Sequence, residues 1–230
     1  MRRALAIPAI GLCLIAATPT PFGGWAVITV EQLPEYLEAG RPVSLAFTVR
    51  QHGQTPMDDL EPTVTLRQKG ERRLRGPRGV TAVRGRGPGR YEATLTPGDT
   101  GDVLITIDAN WHSASTTLLP IRVVPAGRVP EALASEERGR QLFVAKGCVS
   151  CHAKRDDRTL AGRDDANIGP DLTGRAFPAD WLAAKLADPA RNRVRSNEYA
   201  VMPNLGLAEP EIAALSRYIN QRPAGGVAGR

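Results

Sequence analysis

The chain has 230 residues, 42% hydrophobic, 23% charged and 5% aromatic, which fits one or two globular domains and excludes a low-hydrophobicity disordered protein. Gly 23 and Pro 19 call for many turns and exclude a chain made mainly of long helices, and Cys 3 is too few for a disulfide-dense scaffold. The net charge of +6 is spread along the chain, and its one dense cluster, Arg67, Arg72, Arg73, Arg75, Arg78, Arg84, Arg86 and Arg90, is interleaved with glycines. That cluster lacks the aromatic residues that would stack on bases, so no nucleic-acid partner is expected. It reads as a solvated hairpin loop, with an anion-binding or lipid-headgroup surface as the alternative.

Residues 1–26 open with Arg2 and Arg3 and continue into a stretch without charge from Ala4 to Val30. A basic start, an apolar run and then small residues is the layout of a secretory signal. Gly24 and Ala26 are the small pair before one cut, which makes Val27 the first mature residue; Ile15 and Ala17 are a second option. The alternative is an uncleaved anchor, which associates the protein with a membrane through its N-terminus. Pro8, Pro19, Pro21, Gly23 and Gly24 weigh against one continuous helix. Either way the rest of the chain is exported, to the periplasm or the outer face of the cytoplasmic membrane, and Cys13 goes with the leader.

Residues 27–125 change period. Short stretches at 27–30, 43–49, 63–66, 91–95, 103–107 and 115–124 are rich in β-branched residues and mostly alternate, separated by turns at 40–42, 53–56 and 97–101. They predict an all-β antiparallel sandwich, because a single sheet would leave one apolar face unburied. The pattern and the Arg-Gln-His-Gly stretch at 50–53 resemble small exported immunoglobulin-like domains of the copper-resistance and YtkA-like type. His52, Met57 and His112 are a soft ligand set of the kind copper accepts, and Trp111 is either core or a surface for docking.

Residues 126–134 read as a linker, and the helical period begins after it. Ser135 is expected as an N-cap, followed by Glu136 and Glu137 in the first turn, with Gly147 as the stop. A second helix is expected from 179 to 187 and a third from 209 to 220, the latter with Pro210 in its first turn. Residues 222–230 form a tail.

The chemistry-bearing feature is Cys148-Val-Ser-Cys151-His152 at the end of the first of these helices. Cys-x-x-Cys-His is the attachment sequence for c-type haem: two thiols about one helical turn apart add to the two porphyrin vinyl groups, and the adjacent imidazole meets the iron. A thioredoxin-like reading lacks its βαβ setting, and a zinc site lacks a fourth ligand nearby.

On these residues the segment from about Ala134 to Gln221 resembles the monohaem class I cytochrome c family. The resemblance assigns the carbonyl of Pro170, in Gly169-Pro170-Asp171-Leu172, to hold the proximal His152. It assigns Met202, in Met202-Pro203, as the distal ligand of the iron, and Gly139 and Tyr218 to the crossing of the first and last helices. His152 and Met202 are thus the expected metal ligands, and a methionine merely packing on the porphyrin is the alternative for Met202. Trp181, Leu182 and Leu186 either pack over the haem or are ordinary core. Arg175, Arg193, Arg195 and Tyr199 are available to haem propionates or to surface salt bridges.

These readings combine into a multidomain chain: an immunoglobulin-like sandwich followed by an all-α cytochrome c domain with one haem c. The function that the resemblance implies is electron carriage between redox partner proteins, without a substrate reaction of its own, alone or as a subunit of a larger redox enzyme. The alternative is a copper-binding or redox-sensing accessory protein.

Overall fold

Alternation along 43–51 and 101–108 gives two strands with one apolar edge each, and these become inner strands of two different sheets. The structure is a computed structural model that describes residues 25–71, 79–162, 168–190 and 201–221. The leader, Arg72, Arg73, Arg75, Arg78, Arg193, Arg195, Tyr199 and the tail, each given a reading above, lie outside the described residues. No helix among the described residues is long and apolar enough to cross a membrane.

The strands are β1 (Ala26–Val30), β2 (Tyr36–Glu38), β3 (Val43–Gln51), β4 (Thr55–Pro56), β5 (Thr63–Gln68), β6 (Gly79–Thr81), β7 (Val83–Arg84), β8 (Arg90–Leu95), β9 (Gly101–Asp108), β10 (Ser115–Thr117) and β11 (Ile121–Val124). One sheet runs β1-β3-β8-β7 with β4 on β3; the other runs β2-β11-β9-β5-β6 with β10 on β9. Leu45, Phe47, Val49, Tyr91 and Ala93 of the first sheet share a buried core with Val64, Val103, Ile105, Ile107 and Ile121 of the second.

The expected strands are present, the short strands β2, β4, β6 and β7 are added, and two further differences concern pairing and bounds. Pairing is antiparallel except where β2 lies parallel to β11, Tyr36 opposite Arg122. The stretch at 115–124 is two strands, because Leu118 turns inward and Pro120, which has no N–H to donate, ends the ladder. Of the arginine cluster, Arg67, Arg84 and Arg90 lie on β5, β7 and β8, and β5 pairs antiparallel with β6.

The helices are α1 (Ser135–Ala145), α2 (Ala179–Ala187) and α3 (Glu209–Asn220). Ser135 is not the N-cap. Ala134 takes that place and its carbonyl accepts from Arg138 N, while the Ser135 hydroxyl accepts from Arg217 of α3. Gly147 stops α1 as expected, at φ +78.

Helices α1 and α3 cross at a glycine. A Cβ at Gly139 would lie 2.6 Å from Tyr218 Cβ and would collide with the Ala214 carbonyl, so the two backbones approach as only glycine allows. Phe143 meets Tyr218 edge-on at 5.5 Å, and α2 adds Leu182 and Leu186 to the same core.

Helix α1 also packs on the β domain, and one apolar cluster runs through both. Its polar face there is fully engaged: Arg138 donates to the carbonyls of Leu33 (2.5 Å) and Pro34 (3.4 Å), Gln141 to that of Pro120 (3.2 Å), and Lys146 to that of Glu31 (2.7 Å).

Candidate functional site

Past Gly147 the chain turns once more as a 3-10 helix, Cys148–Ser150, and this sets the Cys-x-x-Cys-His segment. Ser150 N donates to Gly147 O, and Cys151 N and His152 N both donate to Cys148 O. The two thiols and the imidazole are therefore carried on one compact loop anchored to α1. Both cysteines are free and half-buried. Burial, with Cys151 close by, pushes the Cys148 thiol up to about 12, and burial pushes Cys151 up to about 11. Both side chains are neutral S–H groups at neutral pH.

Residues 168–173 run beside this loop. Gly169 N donates to Cys151 O (2.7 Å), Leu172 N to Ala153 O (2.9 Å), and Arg155 N to the Thr173 hydroxyl (2.9 Å). The pairing brings the Pro170 carbonyl 2.8 Å from His152 Nδ1. A carbonyl only accepts, so Nδ1 carries the proton and Nε2 keeps its lone pair. Burial lowers the pKa of His152, which favours this neutral ring.

Gly169 lies flat against the imidazole. A Cβ there would come 2.6 Å from Cε1 and 2.8 Å from Nδ1 of His152, so any larger residue would displace the ring. The histidine is thus held on one edge by a hydrogen bond and on one face by a backbone that has no side chain.

Met202 is half-buried against the core, in the stretch that leads to α3, together with Leu207. Leu172 and Leu182 are buried in that same core. Trp181 is 38% exposed and stacks on Phe177 at 5.4 Å. A neutral imidazole whose Nε2 keeps its lone pair suits haem iron as a ligand, the Met202 thioether is a soft ligand of the kind that iron accepts, and Cys148 and Cys151 are the thiols that would bond to the porphyrin vinyl groups.

The structure also identifies residues that sequence reasoning passed over. Lys146, at the end of α1, is 1% exposed, and its ammonium donates to Glu31 O (2.7 Å) and pairs with Glu211 Oε1 (2.8 Å). Asp157 accepts from the Tyr218 hydroxyl (2.8 Å) and from Arg140 Nε (2.8 Å). An uneven lysine among apolar helix positions was the available signal for the first.

The candidate copper ligands His52, Met57 and His112 all lie in the β domain. His52 and His112 are exposed on turns at positive φ, each beside a tryptophan: His52 and Trp25 at 5.6 Å, His112 and Trp111 at 4.5 Å. Met57 packs partly into the sandwich core, and its carbonyl accepts from the Tyr91 hydroxyl. Among the described residues no three His, Cys, Asp or Glu side chains gather as a metal site. Arg175 is exposed.

The family model for cytochrome c matches residues 136–223, which span all three helices, the Cys-x-x-Cys-His loop and Met202. The helical region is therefore a cytochrome c domain that follows a β-sheet domain, and that family implies a haem-based electron carrier with covalently bound haem c. No curated protein matches the chain. Among solved structures, the chain is similar to a proposed glycoside hydrolase from Bacteroides vulgatus at 17% identity and a TM-score of 0.31, over 41% of this chain and only 17% of that one. It is similar to a superoxide reductase (neelaredoxin) from Ignicoccus hospitalis at 18% identity and a TM-score of 0.29, over 43% and 80% of the two chains. A CARDB domain from Pyrococcus furiosus, in complex with di-metal ions, matches at 14% identity and a TM-score of 0.29, over 44% and 94%.

Proposed function

We propose that this chain is an exported c-type cytochrome that carries single electrons between redox partner proteins on one His/Met-ligated haem. Cys148 and Cys151 hold the haem covalently, His152 and Met202 ligate its iron, and Gly169, Pro170, Leu172, Trp181 and Leu182 surround it. The observation that carries the reading is the 2.8 Å contact of His152 Nδ1 with the Pro170 carbonyl, which holds the ring in the tautomer whose Nε2 can ligate iron.

When bound, haem supplies a reversible one-electron couple. The protein's share is to set the potential and to exclude competing ligands. His152 is fixed in tautomer and orientation before it ligates, so little rearrangement accompanies electron transfer. Pro203 fixes its own φ and biases Met202 toward an extended backbone, which limits the freedom of the loop that presents the thioether. His152 and Met202 would hold the iron of a bound haem, and a thioether paired with an imidazole would raise its potential and keep dioxygen and peroxide from it.

Potentiometric titration tests this. The holo-protein should titrate as a single one-electron wave and should exclude carbon monoxide when ferrous. Met202→Ala should lower the potential and admit carbon monoxide. Unchanged potential and continued exclusion in that variant would make Met202 a packing residue.

A further inference from the structure

Strand β1 lies against the residue that precedes the attachment loop and against the turn that meets Pro203. On the attachment side, a Cβ at Gly147 would lie 2.5 Å from Val27 Cγ1 and 2.9 Å from Ile28 O, so the residue preceding Cys148 rests its backbone directly on the strand. On the methionine side, Gly53 occupies the turn between β3 and β4 at φ +71, and a Cβ there would lie 3.5 Å from Val27 Cγ2 and 3.7 Å from Pro203 Cγ. Val27 therefore stands between the attachment loop and the turn on which the ring of Pro203 rests.

Lys146 closes the arrangement from behind. Its ammonium joins the Glu31 carbonyl just past β1 to Glu211 Oε1, while Glu211 Oε2 accepts from Ala208 N and so starts α3 directly after the Met202 loop. The Thr29 hydroxyl donates to the Lys146 carbonyl at 3.4 Å. A buried ammonium is tolerated only while its partners stay in place, so this lysine keeps β1, the end of α1 and the beginning of α3 in one register.

We infer that the β domain is a fixed wall of the haem pocket, in which Val27 and Gly53, tied to the helices through Lys146 at the end of α1, hold the Met202–Pro203 loop in its ligating position. This rests on the His/Met reading above. Lys146 is a positioning residue: it acts through Glu211 and the loop and is not itself a ligand. The β domain then has a role in the electron carrier that requires no metal of its own. Loosening it should increase the fraction of molecules in which Met202 is off the iron.

The test is imidazole binding to the ferric full-length holo-protein, followed by loss of the methionine-to-iron charge-transfer band. Imidazole competes for the position that Met202 fills, so its apparent affinity rises in proportion to the methionine-off population. Lys146→Met keeps the apolar stem and removes the tie; Gly53→Val drives a branched side chain at Val27 and Pro203. Each should tighten imidazole binding by about tenfold or more relative to wild type, the affinity following the open fraction. If Gly53→Val yields no soluble protein, Lys146→Met decides alone. Wild-type affinity in the surviving variants, with Met202→Ala binding imidazole tightly, overturns the inference and leaves the His/Met reading standing. Wild-type behaviour in Met202→Ala overturns that reading itself.

Discussion

The Tyr218 hydroxyl on α3 donates to Asp157 Oδ2 at 2.8 Å, and this carboxylate is shared with Arg140 of α1. One acidic side chain just past the Cys-x-x-Cys-His loop thereby ties the loop to both helices of the crossing. The Asp157 oxygens also accept from Thr159 N and Oγ1. Burial alone would raise the pKa of Asp157, but the hydrogen bonds from Thr159 and Tyr218 and the charge of Arg140 outweigh it and hold the carboxyl below its ordinary value. Burial and then Asp157 push Tyr218 the other way, so its phenol remains a donor.

A depressed folded-state pKa adds stability that is present above the ordinary carboxylate value and is lost as pH falls toward the folded one. Asp157→Asn should therefore lower stability at neutral pH by about 1.5–3 kcal/mol, the range for hydrogen bonds to a charged group. The gap between variant and wild type should narrow as the pH drops below about 4, where the unfolded carboxyl takes up its proton. Thermal melts of the holo-protein across that range measure it. A gap that does not depend on pH would assign Asp157 a packing role.

Gly139→Ala sets two effects against each other. Alanine gains about 1 kcal/mol over glycine in a helix interior. The added Cβ would meet Tyr218 Cβ at 2.6 Å and the Ala214 carbonyl, and that carbonyl belongs to backbone that cannot swing aside. Overpacking of this kind costs about 1–3 kcal/mol or more, so we expect net destabilisation in urea unfolding. A more stable variant would contradict the close crossing.

Gly169→Ala should act on the haem rather than on the fold. The new methyl would fall on the imidazole of His152 and break its hydrogen bond to Pro170. Losing that bond makes the ring a poorer donor, which stabilises ferric iron less. The potential should move up, and resonance Raman should show a weaker iron–histidine bond. An unchanged potential would mean that the ring keeps its seat without Gly169.

What could be read in the sequence was what is local. Cys148, Cys151 and His152 carry their chemistry in their spacing, and α2 and α3 announce themselves by periodicity and proline. The longer strands, β3 and β9, alternate over enough residues to be seen. Strand β2 has only three residues and its partner β11 lies far along the chain, so nothing at 36–38 distinguishes it from a loop. Pro120 divides a stretch whose composition is otherwise that of one strand. Ser135 has the chemistry of a cap, but the helix starts one residue earlier in register and the hydroxyl serves Arg217 instead. Gly169 and Gly139 were reached through family resemblance, and the reason for glycine, an imidazole on one and a helix backbone on the other, exists only in three dimensions. Lys146 was missed because its partners, Glu31 and Glu211, are distant in sequence and come together only when the β domain docks on α1 and α3.

One haem bonded to Cys148 and Cys151 is distinguished from a haem held by ligation alone by acid–acetone extraction of the purified native protein. Haem held only by iron ligation leaves with the acidified solvent, because the acid protonates the histidine. Thioether-bound haem stays with the polypeptide. The colour should remain with the precipitated chain, and intact-mass measurement should show the polypeptide heavier by one haem. Colour in the acetone phase, with a polypeptide of haem-free mass, would contradict covalent attachment.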